Sequence, residues 1–242
     1  MIDALRAEWG KTWSVRSSWL TVVGVLVVVS GAALTLANDY VHGISLGEHE
    51  ATALVPAVGP TAPAAQLGLV VFAAFAMLLI TSEYSSGSIR STFLAEPRRT
   101  LVLAGKASIA AVVGLLVGTA AGAVGLSLAT TALGAHAAPA QEPVLVTSLR
   151  IGLVFATGAV LVTGLGVLVR SSVGTLVVAL AILVGTVILP SSVNVWTPGG
   201  ASGEFVLGGD AAYPAATGFV VDAVWAAAVL GAAIWSLRHR DA

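Results

Sequence analysis

The chain has 242 residues, 57% of them hydrophobic and only 10% charged, with a mean hydropathy of +0.97. Soluble domains carry about 25% charged residues, so a water-soluble globule of this length is excluded, and the class is an all-α integral membrane protein. The formal net charge is −1 and there are no cysteines, which excludes disulfides, iron–sulfur clusters and thiolate metal sites.

Residues 1–17 open the chain with Ile2, Leu5, Trp9 and Trp13 at steps of three and four. On a helix these form one stripe, while Asp3, Arg6, Glu8 and Lys11 take the other faces. Tryptophan favours the membrane–water boundary. The segment therefore predicts an amphipathic helix lying in the interface, weakened by about 1 kcal/mol at Gly10 relative to alanine.

A membrane helix needs about 20 mostly apolar residues. Six stretches qualify: 18–37, 64–82, 101–133, 146–169, 172–189 and 216–237. They place residues 1–242 in a single transmembrane domain. The first is an alternative candidate for a signal peptide, but its apolar core exceeds the usual ~7–15 residues and its flank is acidic as well as basic. The third is too long for one perpendicular crossing at 1.5 Å per residue, so it tilts or begins at the interface near Lys106. The fourth and fifth meet at Arg170-Ser171-Ser172, a very tight turn.

Lysine and arginine set the orientation. Arg6, Lys11 and Arg16 precede the first span; Arg90, Arg98, Arg99 and Lys106 follow the second; Arg170 follows the fourth; Arg238 and Arg240 follow the sixth. The alternate connections carry Asp39, Glu48, Glu50, Glu142, Glu204 and Asp210 instead. The positive-inside rule then puts both termini in the cytoplasm.

Several residues stand out within the spans. Gly114, Gly118 and Gly122 recur every four residues, a small-xxx-small pattern that lets two helix backbones approach, within the bundle or across a dimer. Arg150 and Asp222 each fall about five residues inside their spans. A charge at the bilayer centre costs ~2.5–3.5 kcal/mol on insertion scales, so the two either pair or snorkel separately to the interface. Glu83 and Arg90 are a second candidate pair.

Enzyme and metal motifs fail on context. Gly43-Ile44-Ser45-Leu46-Gly47 fits G-x-S-x-G but lacks the strand–turn–helix of a nucleophile elbow. Ser202, in Gly200-Ala201-Ser202-Gly203, has only His239 after it. That histidine lies at the other membrane face, about 30 Å away, whereas proton transfer needs roughly 3 Å. His42, Glu48, His49, Glu50 and His136 show no tight ligand spacing, so no metal site is expected. A phosphate-binding loop would need G-x-x-x-x-G-K-[ST]. Before Gly105-Lys106 the first glycine is replaced by Thr100, and Ala107 stands at the hydroxyl position.

The stretch EYSSGSIRSTFLAEPRR, followed by VLAGK, departs from the surrounding apolar pattern. Glu83 closes the second span, Tyr84 suits the interface, and Ser85 and Ser86 are good N-caps. Ile89 and Phe93 share a helical face, and Pro97 ends the run, predicting a short helix over 86–95. This stretch resembles the cytoplasmic loop of type-two ABC exporter permeases of the actinobacterial kind. The matching positions are Glu83, Tyr84, Gly87, Ile89, Arg90, Pro97, Arg98, Arg99 and Lys106. The whole-chain layout agrees: an interfacial helix, six transmembrane helices, both ends inside, and a long outer segment before the last span.

The resemblance implies a permease subunit in the plasma membrane that moves an amphipathic substrate (a drug, lipid-linked molecule or peptide) outward. It implies a second permease chain, identical or a paralogue, and a cytoplasmic ABC ATPase that binds ATP and Mg, with no cofactor in this chain and no nucleic-acid partner. Glu83, Tyr84, Gly87, Ile89, Arg90 and Phe93 would form the coupling helix region, with Leu5, Trp9 and Trp13 on the interfacial helix also facing the ATPase. Phe72, Phe75, Met77, Thr175 and Thr186 would line the substrate path. Residues 191–215 would either dip part-way into the outer leaflet on Trp196, Phe205, Val206 and Leu207, or form an exposed loop. The competing reading is a membrane scaffold or assembly protein with no ATPase partner.

Overall fold

The computed structural model describes residues 9–10, 12–13, 15–89, 94, 98–209 and 212–239. The chain forms α1 (Arg16–Ser45), α2 (Val58–Ser86), α3 (Arg99–Leu133), α4 (Val144–Val169), α5 (Ser172–Leu183), α6 (Pro198–Leu207) and α7 (Ala215–His239). Of these, α1, α2, α3, α4 and α7 are long and apolar enough to cross a membrane. The described residues contain no strand beyond two isolated bridges. One of these joins the α1–α2 and α3–α4 connections. There Val55 N–H donates to His136 O at 2.8 Å, and Ala138 N–H donates to Val55 O at 3.0 Å.

The long helices exceed the apolar stretches that announce them. Hydropathy marks only what must lie in hydrocarbon, whereas backbone hydrogen bonding carries a helix on through polar residues. So α1 continues past Asp39 and His42 to Ser45, and α3 runs unbroken for 35 residues. Likewise α2 continues through Glu83, Tyr84, Ser85 and Ser86 to a left-handed Gly87 at φ 73°. Ser85 and Ser86 therefore form the last turn of this helix, where both hydroxyls donate back to Ser82 O; half of the short helix expected over 86–95 lies outside the described residues.

The fifth expected span, 172–189, differs in kind. It is α-helical only to Leu183, breaks at Val184, and continues as a 3-10 turn over Gly185–Ile188. The break is stabilised from outside. Gln66 on α2 donates its Nε2–H to Leu183 O at 2.6 Å, and Ser202 on α6 donates to Gln66 Oε1 at 3.3 Å. A carbonyl released from a helix in an apolar setting needs such a partner. Helix α6 seats its Gly199 directly against Leu183 O, where a Cβ would not fit. The outer segment is thus built: Phe205 and Val206 are buried in the core, while Trp196 and Leu207 stay exposed. The Tyr213 O–H donates to Val195 O. Burial raises the Tyr213 pKa above the ordinary phenol value, and the carboxylates of Glu204 and Asp222 push the same way, so the donor keeps its proton.

At the α4–α5 turn, Arg170 takes the left-handed conformation at φ 57°, and Ser171 caps α5 by accepting from Gly174 N–H. A left-handed non-glycine residue costs roughly 1–2 kcal/mol. It permits the two helices to meet with no intervening loop.

Packing centres on α4, the most enclosed long helix; α1 and α7 are the least. It contacts α3, α7, α2 and α5. The α3–α4 seam decides where the small-residue stripe goes. A Cβ at Gly118 would lie 2.8 Å from Phe155 Cβ and 3.0 Å from Gly152 Cα. At Gly114 it would lie 2.8 Å from Phe155 O, and at Gly122 2.9 Å from Ile151 Cδ1. From the other side, a Cβ at Gly152 would meet Leu115 O at 2.6 Å. The stripe therefore packs inside the chain, backbone against backbone. Phe155 fills the middle, 5.6 Å from Phe72, which in turn stacks on Phe75 at 5.2 Å.

Replacing Gly152 with Ala forces Leu115 backbone to move and should destabilise the fold by about 1–3 kcal/mol, the usual range for overpacking. Gly31→Ala and Gly231→Ala, where an added Cβ meets nothing within 4 Å, should not destabilise it. Thermal unfolding of the detergent-solubilised chain distinguishes them.

Candidate functional site

The residues that carry chemistry gather at the end of the bundle where α2 and α4 finish and α3 and α5 begin. Glu83, in the last turn of α2, and Lys106, in the second turn of α3, are 8% and 2% exposed. Lys106 Nζ donates to Glu83 Oε1 at 2.9 Å. A buried ammonium or carboxylate alone costs several kcal/mol; each makes the other tolerable here. The pair ties two antiparallel helices where their connection leaves the bundle.

Around this pair lies a small apolar cluster separate from the main core: Ile80, Ile89, Leu103, Val167, Ala233 and Leu237. It draws on α2, α3, α4 and α7. Ile89 is 5% exposed, so the segment that leaves α2 turns at Gly87 and immediately anchors back into the bundle. A Cβ at Gly87 would meet nothing within 4 Å; its left-handed φ, not space, is what favours glycine there. Tyr84 packs on the same cluster, with the Arg170 guanidinium 5.4 Å from its ring centroid, a cation–π arrangement. Ser172 donates to Thr81 Oγ1 at 2.9 Å, joining α5 to α2. Arg98 and Arg238 are exposed, and Arg99 and Arg170 are half-buried, so this face is basic.

Beyond Ile89, Leu94 is helical and 84% exposed. Arg90 and Phe93 lie outside the described residues, as does Leu5. Trp9 and Trp13 are helical with ring centroids 5.7 Å apart, and Trp19 on α1 extends the row at 4.7 Å from Trp13. The two tryptophans do share a stripe.

Phe72, Phe75, Met77 and Thr175 are buried within the chain's own core at 6% exposure or less, so they line no surface of this chain. Their helices pack face to face, and an aromatic or methionine at helical spacing goes to that contact. Thr186 sits half-buried on the 3-10 turn and donates to Ile182 O at 3.4 Å. Arg150 and Asp222 do not pair. Arg150 Nη2 donates to Glu142 Oε1 at 2.6 Å, and Thr157 Oγ1 donates to Asp222 Oδ2 at 3.0 Å. The reason is local: Glu142 lies eight residues before Arg150 at the mouth of the same helix, whereas Asp222 faces α4 deeper in the bundle. The Glu83–Lys106 pair was missed because Lys106 lies in a stretch that counts as span by hydropathy. Its signal was there, a cation about two turns inside α3 opposite an anion in the last turn of α2.

No protein-family model matches this chain, and no curated protein matches it.

Removing one member of the buried pair should be costly. Glu83→Met or Lys106→Met should each destabilise by about 3–5 kcal/mol, while the double change to Met at both positions should recover most of the loss. Unfolding midpoints of the four species, closed as a double-mutant cycle, check this.

Proposed function

We propose that the chain is the membrane subunit of an ATP-driven exporter. In this reading six segments cross the plasma membrane: α1 to α5 and α7. For α5 the 12 α-helical residues plus the 3-10 turn reach about 26 Å, close to the ~30 Å hydrocarbon core. The basic face is cytoplasmic, as the positive-inside rule requires. A separate ABC ATPase, holding ATP and Mg, docks there, and a second permease chain completes the transporter.

The observation that carries the reading is Leu94. An apolar side chain 84% exposed on a basic face suits a docking contact. It follows the point where the chain leaves α2 at Gly87 and is held by Ile89 in a cluster fed by four helices. A push on such a segment moves the bundle as a body rather than bending a loop. The substrate would be an amphipathic molecule. With the α2 aromatics enclosed, its path would follow the exposed α5 face formed by Val173, Val177 and Leu180.

The test is gentle-detergent purification of the tagged chain from its native host, with ATPase activity assayed on the eluate. A Walker-motif protein should co-purify and should be lost with Leu94→Asp while the thermal unfolding midpoint stays unchanged. If complexes survive the extraction and no ATPase accompanies the chain, the transporter reading fails and a scaffold without an ATPase takes its place.

A further inference from the structure

At the opposite end of the bundle, a cavity of about 410 Å³ opens between the start of α2, the last turns of α3, the start of α4 and the end of α6. Small-molecule sites run from ~300 to 1,000 Å³. One wall is apolar, made by Val58, Leu126, Val206 and Leu207; the other carries Glu142 and Arg150.

Arg150 sets the chemistry. Its side chain is 19% exposed, its Cζ lies 5.9 Å from the Phe205 ring centroid, and Nη2 donates to Glu142 Oε1. A guanidinium offers five N–H donors and no acceptor. Glu142 takes one. Among the described residues no other acceptor meets Arg150, yet none of its nitrogens is both sealed from solvent and unpartnered. The remaining donors therefore keep accessible surface, and Arg150 is part of the cavity's lining. Gly208, left-handed at φ 98°, borders the same opening beside Arg150 Nη1. Glu142, 39% exposed at the rim, is the better solvated of the two charges and needs a ligand less. A half-buried cation with spare donors above an apolar wall favours an anion with a hydrocarbon body, and a guanidinium fork matches carboxylate and phosphate geometry.

We infer that this cavity binds an amphipathic anion, its carboxylate or phosphate head on Arg150 and its chain along Val58, Leu126, Val206 and Leu207. The site stands whether or not the chain couples to an ATPase. Either a membrane lipid or a free amphiphile supplies this chemistry.

The experiment titrates dodecyl phosphate into the full chain in phosphatidylcholine nanodiscs by calorimetry, with empty nanodiscs subtracted and dodecanol and dodecyltrimethylammonium as controls. Saturable binding of dodecyl phosphate is expected. Arg150→Gln should weaken it roughly ten- to a hundred-fold, the value of a hydrogen-bonded charge. Glu142→Gln should tighten it by freeing a donor, and Leu207→Trp should block it by filling the cavity with the charges intact. Repeating the titration with phosphatidylglycerol in the disc separates the sources: competition identifies the lipid as occupant, and undiminished binding identifies a free amphiphile. Non-saturable partitioning, binding unaltered in a folded Arg150→Gln or Leu207→Trp chain, or preferential dodecyltrimethylammonium binding lost with Glu142→Gln would each overturn the proposal. Leu207→Trp keeps the test decisive if Arg150→Gln does not fold.

Discussion

The architecture depends on how closely α3 and α4 approach. Lipid is as apolar as leucine, so burying apolar side chains gives membrane helices little reason to associate; tight van der Waals contact has to do it instead. The chain meets this demand with glycines on both helices. Gly114, Gly118 and Gly122 face Phe155, Gly152 and Ile151 at distances that leave no room for a Cβ. With that seam closed, α4 becomes the central helix. Its remaining faces receive α2, α5 and α7, while α1 lies over α2 and α3.

The two ends of the bundle solve different problems. At the basic end the difficulty is charge. Glu83 and Lys106 are drawn below the surface and compensate each other at 2.9 Å, at the same end as the apolar cluster on Ile89. At the other end the difficulty is backbone. Helix α5 stops short at Leu183, and Gln66 and Ser202 supply the hydrogen bonds that make the break tolerable. The first arrangement is rigid and linked to four helices, which suits a place where force enters. The second end holds, apart from that break, a half-open cavity beside Arg150.

Much of the fold was legible in the chain itself, because long apolar runs and the tight turn at Arg170-Ser171-Ser172 are local signals. Helix ends were less so: Ser85 and Ser86 have the chemistry of a cap but serve as the last turn of α2. Partner choice was least legible. Arg150 and Asp222 are each conspicuous by their depth, yet each is satisfied by a different residue, Glu142 from the connection before α4 and Thr157 from α4. The aromatic and methionine residues of α2 read equally well as cavity lining or as core, and the difference lies wholly in what stands opposite them.

The sequence by itself determined that this protein is helical and made for a membrane, since composition and run length follow from the solvent a segment must tolerate. It also marked the stretch after α2 as unlike its surroundings. Only the tertiary structure decided that the glycine stripe of α3 is spent inside the chain, that α5 breaks at Leu183, that Glu83 meets Lys106, and that Arg150 lines a cavity with an apolar wall. Each of those facts depends on which faces of which helices meet. That is fixed by close contact between residues distant in the chain, and no periodicity within one helix encodes its neighbour.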